Sequence, residues 1–226
     1  MNIGLLEAHN SNYQAVADLC VPSKISYCKR HGYEFVQYSF GELPDKRTPH
    51  WGRILAIQAS LSRFDWLLYL DTDTVITNPL IRIEPFLDEK CNVVVGLMPA
   101  IYDGRPKHIS TSAILIKNCE WVYNYLLPKW FAQKQFINNP YLPTKSRGAI
   151  LDGLGGRWFE QSAYQYLYDT DDAVYSLTKV MPNCWLNSRT VTFQKDSFLN
   201  HFTLLNNGLS DKIQTIKDFL KKRLKI

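Results

Sequence analysis

A chain of 226 residues, 46% hydrophobic and 21% charged, is long enough to bury one substantial α/β core and cramped for two. Its formal charge of +5 is concentrated at the C-terminus, where residues 211–226 hold six Lys or Arg against two Asp. The remainder is close to neutral, which argues against a general polyanion or nucleic-acid binder.

The predicted elements begin with an apolar strand from Asn2 to Ala8, followed by His9-Asn10-Ser11-Asn12-Tyr13, polar residues suited to capping a helix. From Gln14 to Arg30 apolar residues recur at helical spacing (Val16, Leu19, Cys20, Ile25, Cys28), with Pro22 expected to kink or divide the helix. His31-Gly32 ends it, Tyr33 to Phe40 alternates like a second strand, and Gly41 to Pro49 reads as a surface loop. A 3.6-residue stripe from Ile54 to Phe64 predicts a crossover helix with Arg53 in its first turn.

Next comes Trp66-Leu-Leu-Tyr-Leu-Asp-Thr-Asp-Thr-Val-Ile-Thr-Asn-Pro79. Leu67 to Leu70 has the character of a buried parallel strand, and it stops at Asp71, a residue that strands disfavour. Ligands of open α/β sheets sit beyond the carboxyl ends of the strands. Two carboxylates two residues apart in a bent or extended connection, Asp71 and Asp73, can therefore both address one cation there. Oxygen ligands favour a hard ion, Mn²⁺ or Mg²⁺, with coordination positions left for a substrate's phosphates. The plain alternative is a pair of turn-capping aspartates. A second Asp-x-Asp, Asp169 to Asp171, follows a polar helix and reads as a solvated turn.

Downstream, Ile81 to Phe86 is a short connection and Asn92 to Met98 a central strand. Ala100 to Lys107 reads as a loop, and Thr111 to Lys117 as a strand opening on small polar residues. Glu120 to Lys134 is an aromatic-rich helix, or two divided near Pro128, and 138–147 is a loop or lid near an acceptor. The glycine-rich turn 151–158 lacks the Lys-Ser/Thr ending of a phosphate loop. A helix then opens at Phe159, and Val174 to Pro182 reads as a strand. The C-terminal stretch places Ile213, Ile216, Phe219, Leu220 and Leu224 on one face of a basic helix, which can pack on the parent domain or make weak peripheral contact with an anionic membrane. Five cysteines, an odd number with no Cys-x-x-Cys, point to free thiols in a reducing compartment. With no spanning run of about eighteen apolar residues and no signal-peptide pattern at Met-Asn-Ile-Gly, the expectation is a soluble, cytoplasmic chain.

The segment from Arg53-Ile-Leu-Ala-Ile-Gln-Ala to Asp71-Thr-Asp73 and Ile-Thr-Asn-Pro79 resembles the DxD region of GT-A glycosyltransferases, closest to the galactosyl/mannosyltransferase group. The resemblance implies a single GT-A, Rossmann-like α/β domain over 1–208, with a central mixed, mostly parallel sheet flanked by helices, and an appended basic helix over 209–226. It implies a base-binding corner at Ala8, Asn10 and Tyr13, and a donor contact or buttress at Arg53. Asp71, Thr72 and Asp73 would face the diphosphate, and Thr111 and Ser112 would stand under the donor sugar where the family usually has Asn-Ala-Gly. Glu160-Gln161 is similar to the Asp-Gln pair opposite the DxD, with Glu in place of Asp. His201 in Leu-x-His-Phe is similar to the third metal ligand. Each has a plainer reading: Tyr13 in the core, Arg53 as an exposed helix cation, Glu160 as an acid at a helix amino end, His201 as an ordinary core residue.

The function so implied is metal-dependent transfer of a hexose from a nucleotide-diphosphate sugar, a UDP-sugar before a GDP-sugar, to a hydroxyl of a glycan or glycoprotein acceptor. Inversion would need a general base, Asp152 or Glu160. Retention, the outcome favoured by the resemblance, would lean on Gln161 and the donor's own phosphate. The rival readings are a sugar nucleotidyltransferase, which would bring a basic glycine-rich loop that Glu7-Ala8-His9-Asn10 is not, and a non-catalytic carbohydrate-binding protein of the same fold.

Overall fold

The computed structural model describes residues 1–97, 109–139, 159–181, 186, 197–202 and 208–224. Along the chain these form β1 (Ile3–His9), α1 (Gln14–His31), β2 (Glu34–Ser39), α2 (Gly52–Ser60), β3 (Trp66–Leu70), β4 (Thr74–Ile76), β5 (Val93–Leu97) and β6 (Ile109–Lys117). A π-helical turn, Val122–Leu126, then leads into α3 (Leu127–Phe131), followed by α4 (Phe159–Thr170), α5 (Asp172–Ser176), β7 (Thr178–Met181), β8 (Leu199–His201) and α6 (Leu209–Leu224). The expected loop at 100–107, all but the first two residues of the expected loop at 138–147, the glycine-rich turn at 151–158 and its Asp152 lie outside the described residues.

Six strands make one sheet in the order β2-β1-β3-β6-β5-β7. Only β6 runs against its neighbours; the other pairings are parallel, as expected of a mixed, mostly parallel sheet. Alternation along the strands supplies both faces, because successive side chains point to opposite sides. Leu6, Leu67, Tyr69, Ile114 and Ile116 pack with Ile54 and Ile57 of α2 and Trp130 of α3. Leu5, Leu68, Leu70 and Leu115 pack with Tyr27 and Cys28 of α1. Burial on both faces is why these strands read as continuous apolar runs rather than as alternating ones.

Several expectations are corrected. The helix α1 continues through Pro22 without dividing. Proline takes away the hydrogen bond to the carbonyl of Asp18, and both residues lie on the exposed side, where water can serve that carbonyl. No side chain of His9 to Tyr13 caps α1; a 3-10 turn, Ser11–Tyr13, leads in instead. The stretch from Val174 is not a strand from its start: Asp171 accepts from the backbone N–H groups of Ala173 and Val174 and caps α5, and β7 begins only at Thr178. Asp171 is accordingly a buried cap paired with Lys129 rather than a solvated turn residue. The helix α6 docks on the body, with Ile216 buried beside Val16, Cys20, Val75 and Phe202. Among the described residues no helix is long and apolar enough to cross a membrane.

Candidate active site

Pairing of β3 with β6 continues one residue past the strand, where the Asp71 N–H donates to the Ser112 carbonyl at 2.8 Å. The chain then turns. Thr74 Oγ1 donates to the Asp71 carbonyl at 2.6 Å, and Lys24 Nζ, rising from α1, donates to the carbonyls of Asp71 at 2.8 Å and Thr72 at 3.2 Å. Thr72 Oγ1 donates to the Ala8 carbonyl at 3.1 Å, which ties its side chain to the end of β1. The turn is thus fixed through its backbone and its middle residue, while Asp71 and Asp73 project to a common side.

The third member arrives from far along the chain. A two-stranded ribbon pairs β4 with β8, so that Thr74 lies opposite His201, and the Phe202 N–H donates to the Asp73 carbonyl at 2.9 Å. His201 Nε2 sits 3.2 Å from Asp73 Oδ1 and 3.7 Å from Asp71 Oδ2. One donor atom from each of the three residues falls within 4.8 Å of the others.

The second oxygen of each carboxylate belongs to a protein cation. Arg53 Nη2 is 2.8 Å from Asp71 Oδ1, which also accepts from the Tyr69 hydroxyl at 3.1 Å. Lys212 Nζ of α6 pairs with Asp73 Oδ2. Each aspartate is therefore gripped from behind by one oxygen and offers the other beside the imidazole. Two carboxylate oxygens and one imidazole nitrogen, turned to one point with the second oxygen of each carboxylate pinned, fit a hard divalent ion. Burial works to raise the Asp73 carboxyl pKa, but Lys212 and His201 outweigh it and hold the group ionised well below the usual carboxylate range.

Arg53 joins this cluster to a second acid. Its Nη1 donates to the Thr111 carbonyl at 2.6 Å and to Thr111 Oγ1 at 2.8 Å, and lies 3.2 Å from Glu160 Oε1. Gln161 Oε1 accepts from the Thr111 N–H at 3.1 Å, and the Trp130 indole donates to the Glu160 carbonyl at 2.6 Å, fixing the start of α4 against β6. Burial pushes the Glu160 carboxyl up to about 7, with Arg53 opposing and Asp71 adding to the rise. An acid neutral in the fold and ionised in the unfolded chain favours the fold at low pH. That contribution is complete below about 4.5 and is lost as pH climbs through about 7. Glu160→Gln is therefore expected to flatten the fall in stability between those pH values, by roughly 2–4 kcal/mol at the upper end. Urea melts at pH 4.5, 6 and 8 without divalent ions check this; parallel curves for parent and variant would contradict it.

The structure thus brings Arg53, Asp71, Asp73, Thr111, Glu160, Gln161 and His201 into one neighbourhood. Ala8 and Thr72 stand at its floor, joined by their hydrogen bond. Ser112 is buried with its hydroxyl on Ser110 at 2.7 Å, and the Thr111 hydroxyl is engaged by Arg53 and Glu160, so both hydroxyls already have protein partners. Tyr13 is half-buried with its ring 5.5 Å from Lys212 Nζ, and Asn10 Oδ1 is buried without a hydrogen-bond partner. Arg53, only 4% exposed, is not a surface cation. Sequence reasoning missed Lys24 and Lys212, both buried, and the buried Glu7–His9 pair, 3.1 Å apart, at the end of β1. A lysine inside the apolar stripe of α1 is the one signal that pointed to Lys24.

Residues 3–92 match the model of the galactosyl transferase GMA12/MNN10 family. The structure superposes on a glycosyltransferase involved in the glycosylation of the major capsid of PBCV-1 with a TM-score of 0.71 and 16% identity, over 96% of this chain and 100% of that one. The chain has the fold of that glycosyltransferase, and its residues 3–92 are similar to the GMA12/MNN10 family. The galactosyltransferase LgtC, solved with donor and acceptor sugar analogs, shares the fold at a TM-score of 0.54 and 10% identity over 97% of this chain and 95% of LgtC. In sequence, the probable xyloglucan 6-xylosyltransferase 5 of Arabidopsis thaliana is 29% identical over 115 residues, 49% of this chain and 25% of the relative. The probable glycosyltransferase 3 of Oryza sativa subsp. indica is 25% identical over 203 residues, 87% of this chain and 40% of the relative. The chain therefore spans a quarter to two fifths of the length of these plant relatives.

Proposed function

We propose that this chain transfers a hexose from a nucleotide-diphosphate sugar, a UDP-sugar before a GDP-sugar, to a hydroxyl of a glycan or glycoprotein acceptor, with retention at the anomeric carbon. The observation that carries the reading is the Asp71–Asp73–His201 cluster, in which each carboxylate offers one oxygen while Arg53 or Lys212 holds the other. Mn²⁺ or Mg²⁺ bound there would supply Lewis acidity against the negative charge that grows on the departing diphosphate.

The chain's own groups do the remainder. Lys24 and Thr72 hold the turn so that both carboxylates are pre-aimed, which lowers the reorganisation needed in the reaction. The end of β1, with Ala8, the unpartnered oxygen of Asn10 and the ring of Tyr13, is where the nucleoside base would lie. Gln161, fixed through its Oε1 to Thr111, keeps its amide N–H groups as donors toward the donor sugar or the developing charge. Glu160, held on Arg53, stabilises that frame, and Asp152 stays in reserve as a candidate base should the product prove inverted. The exposed cations of α6, Lys217, Lys221, Lys222 and Arg223, would give weak, salt-sensitive contact with an anionic membrane.

A thermal-shift comparison tests the reading directly. At a hundredfold excess over Kd, a ligand bound only to the native state adds about 2.7 kcal/mol, worth roughly 5–10 °C in Tm for a domain of this size. UDP-sugars with Mn²⁺ are expected to give shifts of that order and the same sugars with a chelator much smaller ones. A panel of UDP- and GDP-sugars that moves Tm equally with and without the ion would defeat the proposal. NMR of the product's anomeric proton against the donor's then decides retention.

A further inference from the structure

Lys212 is the only one of the six basic residues in 211–226 for which the described structure shows an ion pair inside the cluster. It is 7% exposed, while Lys217, Lys221 and Lys222 on the same helix are exposed. Its Nζ pairs with Asp73 Oδ2 and lies 5.5 Å from the centre of the Tyr13 ring. The helix that carries it is seated by Ile216 against Val16, Cys20, Val75 and Phe202, and Arg223, three turns further along, donates to the Thr77 carbonyl just past β4. The ammonium is therefore delivered by a docked element rather than by a free surface side chain.

The charges of the two aspartates and of the two cations paired with them balance. Asp71 and Asp73 contribute two negatives, and Arg53 and Lys212 return two positives at 2.8 Å and in direct contact. A divalent ion arriving alone would leave a buried site with two uncompensated positive charges, an arrangement that low-dielectric surroundings penalise. An ion arriving with a diphosphate would not. Taking the Asp71–Asp73–His201 reading above as given, we propose that Lys212 is a built-in counter-ion that keeps a bare divalent ion weakly bound, so that the ion is taken up together with its anionic donor rather than ahead of it. By reciprocity, the anionic ligand must then tighten the ion as much as the ion tightens the ligand.

Mn²⁺ binding followed by the electron paramagnetic resonance signal of the free ion tests this without any turnover, with UDP absent or saturating. The parent is expected to bind bare Mn²⁺ weakly and to tighten by about tenfold or more when UDP is present. Lys212→Gln, which keeps a polar group on Asp73 but removes the charge, should tighten bare Mn²⁺ by about tenfold and shrink the UDP effect by the same factor. Lys212→Arg, which keeps the charge, and Lys217→Gln, on the exposed face, should both behave like the parent. Unchanged or weaker bare-ion binding in Lys212→Gln overturns the proposal and makes Lys212 a support for Asp73 instead. Tight bare-ion binding by the parent, indifferent to UDP, overturns it too while leaving the metal site in place. If the parent binds no Mn²⁺ even with UDP, the metal reading itself falls and the counter-ion with it.

Discussion

For the transfer proposed above, Asp73→Asn is expected to lower turnover of the nucleotide sugar by about a hundredfold or more, the scale seen when a preorganised charge-stabilising group is lost. The substitution is nearly isosteric, so its effect is on charge. It removes the negative oxygen that stands 3.2 Å from His201 Nε2 and leaves Lys212 in a buried position without its counter-ion. Two consequences follow, of which the first separates this from simple unfolding. Raising Mn²⁺ should restore part of the rate, because Asp71 and His201 still supply two of the three candidate ligands. Stability should fall as well, because an unpaired buried cation is costly. Steady-state rates over a Mn²⁺ series, beside urea melts, measure both. Turnover within tenfold of the parent at every Mn²⁺ concentration would mean that Asp73 does not hold the ion.

The parts of this site that were legible in the sequence are the local ones. A buried strand that halts at Asp71 shows in five consecutive residues, and Arg53 stands at a fixed offset on the helix before it. The central strands were legible for a related reason: strands buried on both faces leave apolar runs, as in β3, β5 and the second half of β6, whereas the mixed direction of the sheet came from the resemblance. His201 could be matched by resemblance, but the pairing of Thr74 with His201 that brings it to Asp73 is a register between strands far apart in the chain, and spacing does not encode it. Lys24 and Lys212 were not seen because a lysine on a helix usually marks the wet face. Only the fold reveals that one caps the turn's carbonyls and the other lies on Asp73. The mistaken strand at Val174 was avoidable, since Asp171 followed by Asp-Ala-Val is an N-cap with an acidic first turn, and that is the role it plays.

Arg53→Leu carries the second large effect, on folding before chemistry. The guanidinium is buried and spends its donors on Asp71 at 2.8 Å, the Thr111 carbonyl at 2.6 Å, the Thr111 hydroxyl at 2.8 Å and Glu160 at 3.2 Å, with Tyr69 beneath it at 5.2 Å. Burial works against its charge, and Asp71 and Glu160 more than reverse that, so it stays protonated. Leucine fills part of the space but leaves a buried carbonyl and two carboxyl groups without their donor. Removing one partner of a buried pair costs about 3–5 kcal/mol, against about 0–1 kcal/mol for an exposed pair. Arg53→Lys keeps the charge but offers no planar fork to bridge two acids, so its loss should fall between the two. Glu160 responds in a direction that identifies the cause. Arg53 is the group that opposes its neutral form, so in Arg53→Leu the Glu160 carboxyl should titrate above its parental value of about 7. The fall in stability with rising pH would then extend to more alkaline pH than in the parent. Urea melts from pH 5 to 9 on parent, Arg53→Leu and Arg53→Lys distinguish the cases. A loss of about 1 kcal/mol with no change in the pH profile would mean that Arg53 is a peripheral cation, and the frame joining Asp71 to Glu160 would have to be held by something else.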